Sequence, residues 1–178
     1  MSKLILGSFL AALAMFVFGA VFWMSPFPYA AFSKTADDQA AGQALLQHFP
    51  ESGTYIVPGM YNEKSKLESL HAAGPIAFVN ICREGGPVMD PKYLGLGFLQ
   101  YFVVMLLTGS VLRKVGSALP SYGSRVWLVA LIGVIVALLG DLALPVWWRA
   151  PWPFFVVMAA YTAVSATLGG LVLAKFAK

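Results

Sequence analysis

The sequence predicts an integral membrane protein, mainly α-helical, with four transmembrane helices in a bundle and a small α/β extracytoplasmic insert between helices 1 and 2. Four apolar stretches, each 20 to 23 residues long, contain a single charged residue, Asp141. A hydrocarbon core about 30 Å thick needs roughly 20 helical residues, so every stretch is long enough to cross it. The stretches are Leu4 to Met24, Tyr93 to Leu112, Val126 to Trp148 and Trp152 to Ala174.

The overall composition agrees with a membrane location. Apolar residues make up 59% of the 178-residue chain and charged residues only 11%, and the mean hydropathy is +0.75. These values lie outside the range of ordinary soluble domains. The pattern divides the chain into a first helix (residues 1–24), the insert (residues 25–92) and three further helices (residues 93–178).

The first apolar stretch is expected to be retained as a helix and not removed as a signal peptide. A signal peptide has an apolar core of about 7 to 15 residues followed by a cleavage site with small residues. Here the run is 21 residues long and ends in Phe22, Trp23 and Pro26. Aromatic residues at this point are typical of an anchor at the membrane interface.

The distribution of Lys and Arg predicts that both termini are cytoplasmic. Six basic residues and no acidic ones then lie on the inner side, whereas the insert carries five basic and seven acidic residues. This asymmetry follows the positive-inside rule, and it favours a multi-pass protein of a bacterial-type inner membrane. The basic residues form no patch, so a nucleic-acid partner is not expected. The six inner residues are Lys3, Arg113, Lys114, Arg125, Lys175 and Lys178.

The insert is predicted to contain two helices and two short strands. An amphipathic helix is expected to end at Pro50, and a second helix to run from Glu63 to Ala73. β-rich runs at residues 54–57 and 76–81 flank the second helix, and either a parallel or an antiparallel pairing fits this order. With about 50 ordered residues, such a unit is near the limit of independent stability. It is therefore expected to lean on the membrane helices or on a partner.

No metal site, cofactor site or disulfide is predicted. Cys82 is the single cysteine, and a small buried side chain at the end of a strand is its expected state, with a metal ligand or an intermolecular disulfide as alternatives. The two histidines, His48 and His71, both lie in the insert, so no pair of histidines can hold a haem within the bundle. Their spacing relative to Cys82 supports no metal site.

A polar cluster is predicted around Asp141, in the outer half of the bundle. A carboxylate at the centre of a spanning helix costs about 2.5 to 3.5 kcal/mol, so it is seldom left facing lipid. Pro145 removes the hydrogen bond to the Asp141 carbonyl, which favours a kink. Three roles remain open for Asp141: a clamp between helices, a proton-relay or ligand site, and a side chain that reaches the interface near Arg149. Residues at matching depth are Gln100, Tyr101, Tyr161 and Thr162.

Small residues form a stripe on the fourth helix that is expected to pack closely against another helix. They recur at spacings of four, three and four residues, which places them on one face. The partner of this face is either a helix of the same bundle or another membrane subunit. Ser165 and Gly169 form a second small pair beside the stripe. The stripe consists of Ala159, Ala163, Ala166 and Gly170.

These patterns favour a non-catalytic membrane protein, an accessory, assembly or scaffolding subunit whose insert and small-residue helix faces contact partners. No catalytic residues are assigned, because no nucleophile has a nearby base and acid in any recognisable arrangement. The alternative is a small membrane enzyme or permeation protein that uses the polar site around Asp141, and a third possibility is ligand sensing by the insert. Besides the lipid bilayer, the expected partner is another membrane protein or a second copy of the chain.

Overall fold

The computed structural model describes residues 2–176, so Lys178, one of the six basic residues assigned to the inner side, lies outside the described part. The structure is mainly helical, with a two-stranded sheet in the insert. Short 3-10 turns lie at Pro28–Ala31 and Gly116–Ala118. The helices are α1 (Ser2–Met24), α2 (Asp38–His48), α3 (Lys64–Ala73), α4 (Pro91–Lys114), α5 (Tyr122–Val136), α6 (Ala143–Trp148) and α7 (Trp152–Leu173), and the strands are β1 (Gly53–Val57) and β2 (Ala77–Ile81).

Four helical segments are long and apolar enough to cross a membrane, as the sequence predicts. They are α1, α4, the continuous run of α5 and α6, and α7. Capping residues explain several of their boundaries. The Asp90 carboxylate accepts a hydrogen bond from the Lys92 N–H at the start of α4, and the Ser121 hydroxyl accepts one from the Ser124 N–H at the start of α5.

The third span is interrupted by one turn of wider helix between α5 and α6. At Ala137–Asp141 the backbone follows a π-helix, and the Leu142 N–H donates to the Ala137 carbonyl at 3.1 Å, five residues back. Pro145 follows in α6 and is buried. The sequence predicts a kink near Asp141 on account of Pro145. In the structure the irregular turn begins at Ala137, about two turns before Pro145, and Asp141 is its last residue.

Helix α7 lies at the centre of the bundle, with α5 on one side and α1 on the other, and α4 packs mainly on α1. A Cβ added at Gly133 of α5 would lie closer than 3.0 Å to the Ala166 Cβ, so the α5 backbone lies directly against the Ala166 side chain of α7. On the opposite side, a Cβ at Gly169 would lie 2.8 Å from the sulfurs of Met15 and Met105. Small residues on both faces thus allow the close approach.

The bundle core is formed by buried side chains from all four spans. The Ser8 hydroxyl donates to the Met105 carbonyl at 3.2 Å and joins α1 to α4 in this core. Ser8 and Met105 are both almost fully buried. The core cluster contains Ala11, Met15, Met105, Leu112, Val129 and Leu173.

The two strands of the insert pair antiparallel, which decides between the two pairings that the sequence allows. Gly53 lies opposite Ile81 and Val57 opposite Ala77. Neither α2 nor α3 contains a buried residue. The Arg83 guanidinium, just beyond β2, donates to the carbonyls of Leu46 and Phe49 and so ties the sheet to the end of α2.

Aromatic contacts connect the insert to the long helices. The rings of Phe32 and Phe154 lie 4.6 Å apart, which joins the segment after α1 to the start of α7. The rings of Phe78 in β2 and Trp148 in α6 lie 5.2 Å apart. The sheet therefore rests on the end of the third span, consistent with an insert that leans on the bundle.

Candidate polar site in the helix bundle

Asp141 contacts α7 through one short hydrogen bond. The Thr162 hydroxyl donates to Asp141 Oδ2 at 2.6 Å, and both side chains are partly buried. The π-helical turn presents Asp141 at the point where the third span passes α7. This hydrogen bond between a hydroxyl and a carboxyl oxygen joins the two helices at a defined register.

A second polar pair joins α4 to α7. The hydroxyls of Tyr101 and Tyr161 lie 2.7 Å apart, and either can donate. Tyr161 is only 8% exposed. A Cβ added at Gly19 would lie 2.7 Å from the Tyr161 hydroxyl, so the glycine in α1 leaves the space that this oxygen needs.

Aromatic rings from α1 enclose Tyr161. The Phe22 ring lies 4.7 Å from the Tyr161 ring, and Phe18 is stacked on it at 5.5 Å. Trp23 adds an edge contact at 6.2 Å. Because these rings exclude water from the tyrosine pair, the hydrogen bond between Tyr101 and Tyr161 is made in an apolar environment.

Ser165 contributes a buried hydroxyl that the polar-cluster prediction did not include. It lies one helical turn after Tyr161, is 2% exposed, and its Oγ has no hydrogen-bond partner in residues 2–176. In the sequence, Ser165 and Gly169 form a pair of small residues four positions apart. Such a pair indicates close helix packing, and it does not indicate a hydrogen bond. Depth alone would have placed it below the predicted cluster.

Gln100 lies apart from both pairs. Its side chain is exposed, and among the described residues it has no side-chain hydrogen bond. Phe98 and Phe102, two residues before and after it, both contact Phe9 of α1. Successive helical residues turn by about 100°, so Gln100 points away from the bundle. Of the five predicted residues, the structure thus brings together Asp141 with Thr162, and Tyr101 with Tyr161.

The small-residue stripe of α7 faces α5. Ala163 and Ala166 lie against Gly133, and Gly170 lies against Val129, whose side-chain carbons would be 2.9 to 3.1 Å from an added Cβ. Ala159 is partly buried on the same face, one turn earlier. Ala163, Ala166 and Gly170 therefore pack against a helix of the same chain, one of the two partners that the sequence allows for this stripe.

Cys82 is exposed, which corrects the expectation of a buried side chain. Strand β2 ends at Ile81, so Cys82 lies one residue beyond the sheet, and its thiol lies 3.6 Å from the Glu84 carbonyl. His48 is exposed, and His71 is partly buried in α3. In the described part of the chain, no group of three or more His, Cys, Asp or Glu side chains gathers as metal ligands would.

The insert contains a wide, open cleft of about 910 Å³. Its walls come from the ends of α2 and α3, from β1 and from the turns that follow β1 and α3, and six of the fifteen lining residues are Phe, Tyr or Pro. Met60 and Tyr61 at its edge are 59% and 93% exposed. A concave, mainly apolar surface with few polar groups is typical of a binding site.

The bundle arrangement supports two kinds of chemistry. One carboxylate with a single hydroxyl donor can hold a proton or bind a small cation or hydrogen-bond donor, and the enclosed tyrosine pair can fix helices in place.

Comparison with protein-family models, with curated proteins and with solved structures finds no match to this chain.

Proposed function

We propose that the protein is a non-catalytic, multi-pass subunit of a bacterial-type inner membrane, which assists or scaffolds a membrane complex and contacts a partner protein through its insert. The observation that carries the proposal is the set of exposed apolar side chains in the insert, three of which, Met60, Tyr61 and Leu70, line its cleft. Such surfaces mark interaction sites when they lie together.

The exposed side chains lie at the cleft edge and on both insert helices. Leu45 and Leu46 of α2 are 41% and 48% exposed, Leu70 of α3 is 38% exposed, and Tyr61 is almost fully exposed. A partner that covers this surface buries apolar area and aromatic anchors, the residue types that dominate binding energies at interfaces. It also supplies the core that the insert lacks.

Affinity purification in mild detergent tests the proposal. The wild-type protein is expected to retain a stoichiometric partner, and the double variant Met60→Ser, Tyr61→Ser to lose it. Val88→Ser is the matched control, because Val88 is fully exposed in the insert but does not line the cleft. A homogeneous protein without any partner, or a partner that the double variant retains, would contradict the proposal.

The proposal places the insert outside and both termini in the cytoplasm, and the native Cys82 tests this placement directly. Cys82 is exposed, so a membrane-impermeant thiol reagent added to intact cells should label it. In a Cys82→Ser background, a cysteine at Ser65 should be labelled and a cysteine at Ser117 should not. The reverse pattern would overturn the orientation.

A second candidate function is a small membrane enzyme or permeation protein that uses Asp141. The favouring observation is the π-helical turn that carries this carboxylate, because such turns occur frequently at functional sites. Asp141→Asn separates the roles: an amide still accepts the Thr162 hydrogen bond, so a clamp keeps its stability. Loss of a transport or enzymatic activity without loss of folding would favour the second function.

A further inference from the structure

We infer that the outward face of α4 is a docking surface for a second copy of this chain, and that paired Gln100 side chains hold the two copies in register. This inference deepens the proposed function by naming the partner of one helix face. It rests on five residues of α4, one of which is Gln100, and on the chemistry of a side-chain amide.

Gln100 lies deep within the span and faces outward. It is seven residues from Tyr93, or about 10 Å along the helix, and thirteen residues from Arg113, or about 20 Å. Both distances place it within a hydrocarbon core about 30 Å thick. An amide carries two donor hydrogens and an acceptor oxygen, and leaving these unpaired in hydrocarbon is costly.

Among the described residues, several other polar side chains of the spans bond to another helix, as Ser8, Tyr101 and Thr162 do, and three more bond within their own helix. The hydroxyls of Thr108, Ser110 and Thr167 each donate to the carbonyl four residues earlier, at 2.8 Å. Gln100 makes no such bond within residues 2–176, and its side chain is exposed. In the proposed dimer, its partner therefore comes from a second chain.

The residues around Gln100 follow the spacing of a helix pair. Tyr93, Gln100 and Leu107 recur every seven residues, and Leu96 and Val103 recur at the same interval between them. The four apolar or aromatic members are 45% to 66% exposed. A seven-residue repeat of this kind is the signature of two helices packed with a left-handed crossing, in which one central polar residue fixes the register.

Symmetry identifies the second chain as another copy. Every copy inserts with the same orientation, so Gln100 lies at the same depth in each, and a two-fold axis along the membrane normal brings the two side chains together. Two amides satisfy each other, because each donates and each accepts. A dimer of this kind needs no additional polar group from any other protein.

Disulfide trapping in liposomes of phosphatidylcholine tests the inference on the purified full-length protein. In a Cys82→Ser background, Leu107→Cys should form an intermolecular disulfide with copper phenanthroline, since facing positions in a helix pair lie within disulfide reach. Leu131→Cys on α5, which is 41% exposed, is the matched control and should stay monomeric.

Gln100→Leu should weaken the dimer about five- to thirty-fold, as measured by energy transfer between labelled copies at increasing lipid dilution. Gln100→Asn should retain part of the affinity because it keeps the amide. Thermal unfolding of the leucine variant should match the wild type, which separates dimer loss from misfolding.

Three results would overturn the inference: a monomer at all dilutions, equal trapping at Leu107→Cys and Leu131→Cys, or a dimer that Gln100→Leu leaves unchanged. Trapping of Leu107→Cys only to a different protein in native membranes would also overturn it. The proposed function is tested separately, because its partner is detected through the insert and not in purified liposomes.

Discussion

The helix bundle holds its elements together by close backbone approach, whereas the insert holds its elements together by hydrogen bonds at its surface. In the bundle, glycines and alanines on both faces of α7 bring three other helices into contact. In the insert, neither helix buries a residue, and an exposed arginine joins α2 to the sheet. The same chain thus uses two kinds of stabilisation.

This difference reflects the solvent in which each region is expected to fold. Between helices in lipid there is no hydrophobic driving force, so packing and internal hydrogen bonds must supply the association. In water, a unit of about 50 residues normally depends on apolar burial, and neither helix of the insert contributes a buried residue. The insert should therefore be the first part to open and the part that gains most from a partner.

The largest expected effect breaks the close approach in the bundle. Gly133→Ala adds a methyl group against the Ala166 side chain and the Ala163 backbone, and neither can rotate away. We expect a loss of about 1 to 3 kcal/mol in the free energy of unfolding, measured by denaturation in detergent. Gly95→Ala, where an added Cβ meets nothing within 4 Å, should be neutral or stabilising by up to about 1 kcal/mol. Equal effects would refute the packing role.

A smaller loss is expected from the buried tyrosine pair. Tyr101→Phe removes one hydroxyl and with it the hydrogen bond to the Tyr161 hydroxyl, which lies among aromatic rings. The cost should be about 1 to 2 kcal/mol in the same denaturation assay. Tyr29→Phe, in the turn after α1, is the control, because Tyr29 is 58% exposed and its hydroxyl makes no hydrogen bond with other residues in 2–176.

Removing the hydrogen bonds between Arg83 and the end of α2 should open the insert and leave the bundle intact. Arg83→Ala deletes the donors to Leu46 and Phe49, with an expected cost of about 1 kcal/mol because the guanidinium is exposed. Amide hydrogen exchange should rise in α2 and the strands while α1 and α7 are unchanged. Lys66→Ala, in the same insert, should alter neither region. A uniform rise across the whole protein would show that the two regions unfold together.

The smallest effect concerns pH and the loop after β2. The Ser52 hydroxyl donates to the Glu84 carboxylate at 2.7 Å, and this bond lowers the pKa of Glu84 below its usual value of 4.5. The contribution to stability is present at pH values above the unfolded-state pKa and is lost as the pH falls through the lower folded-state value.

Nuclear magnetic resonance titration of the Glu84 side chain measures this shift. Ser52→Ala should raise the pKa of Glu84 toward 4.5, because the hydrogen bond from Ser52 is the largest cause of the lowering. Ser69→Ala, elsewhere in the insert, should leave it unchanged. An unaltered Glu84 pKa in Ser52→Ala would contradict the hydrogen bond between Ser52, just before β1, and Glu84, in the loop after β2.

The elements of the fold follow from the sequence more completely than their relative positions do. Span length and apolarity predict four long helices, and turn residues predict the two strands of the insert. The pairing direction is not predictable, because one helix between two strands fits either direction. The π-helical turn has no signal of its own within a run of apolar residues.

The polar cluster illustrates a related limit. Counting residues from the interface gives the depth of a side chain but not the direction in which it points. Thr162 and Asp141 meet because their helices face each other, whereas Gln100 shares their depth and points outward. The prediction for Cys82 fails by a single residue: the strand ends at Ile81, and the Cys82 side chain beyond it is exposed.

The central position of α7 also sets an order for assembly during synthesis. α7 follows α1, α4 and α5 in the chain, yet it supplies the packing surface that joins them. The pair of α1 and α4 can form as soon as α4 enters the membrane, but α5 then waits without its neighbour. In the proposed membrane, Gly133 and Asp141 lack their contacts with α7 until α7 arrives. We therefore expect the nascent third span to be shielded until translation reaches α7.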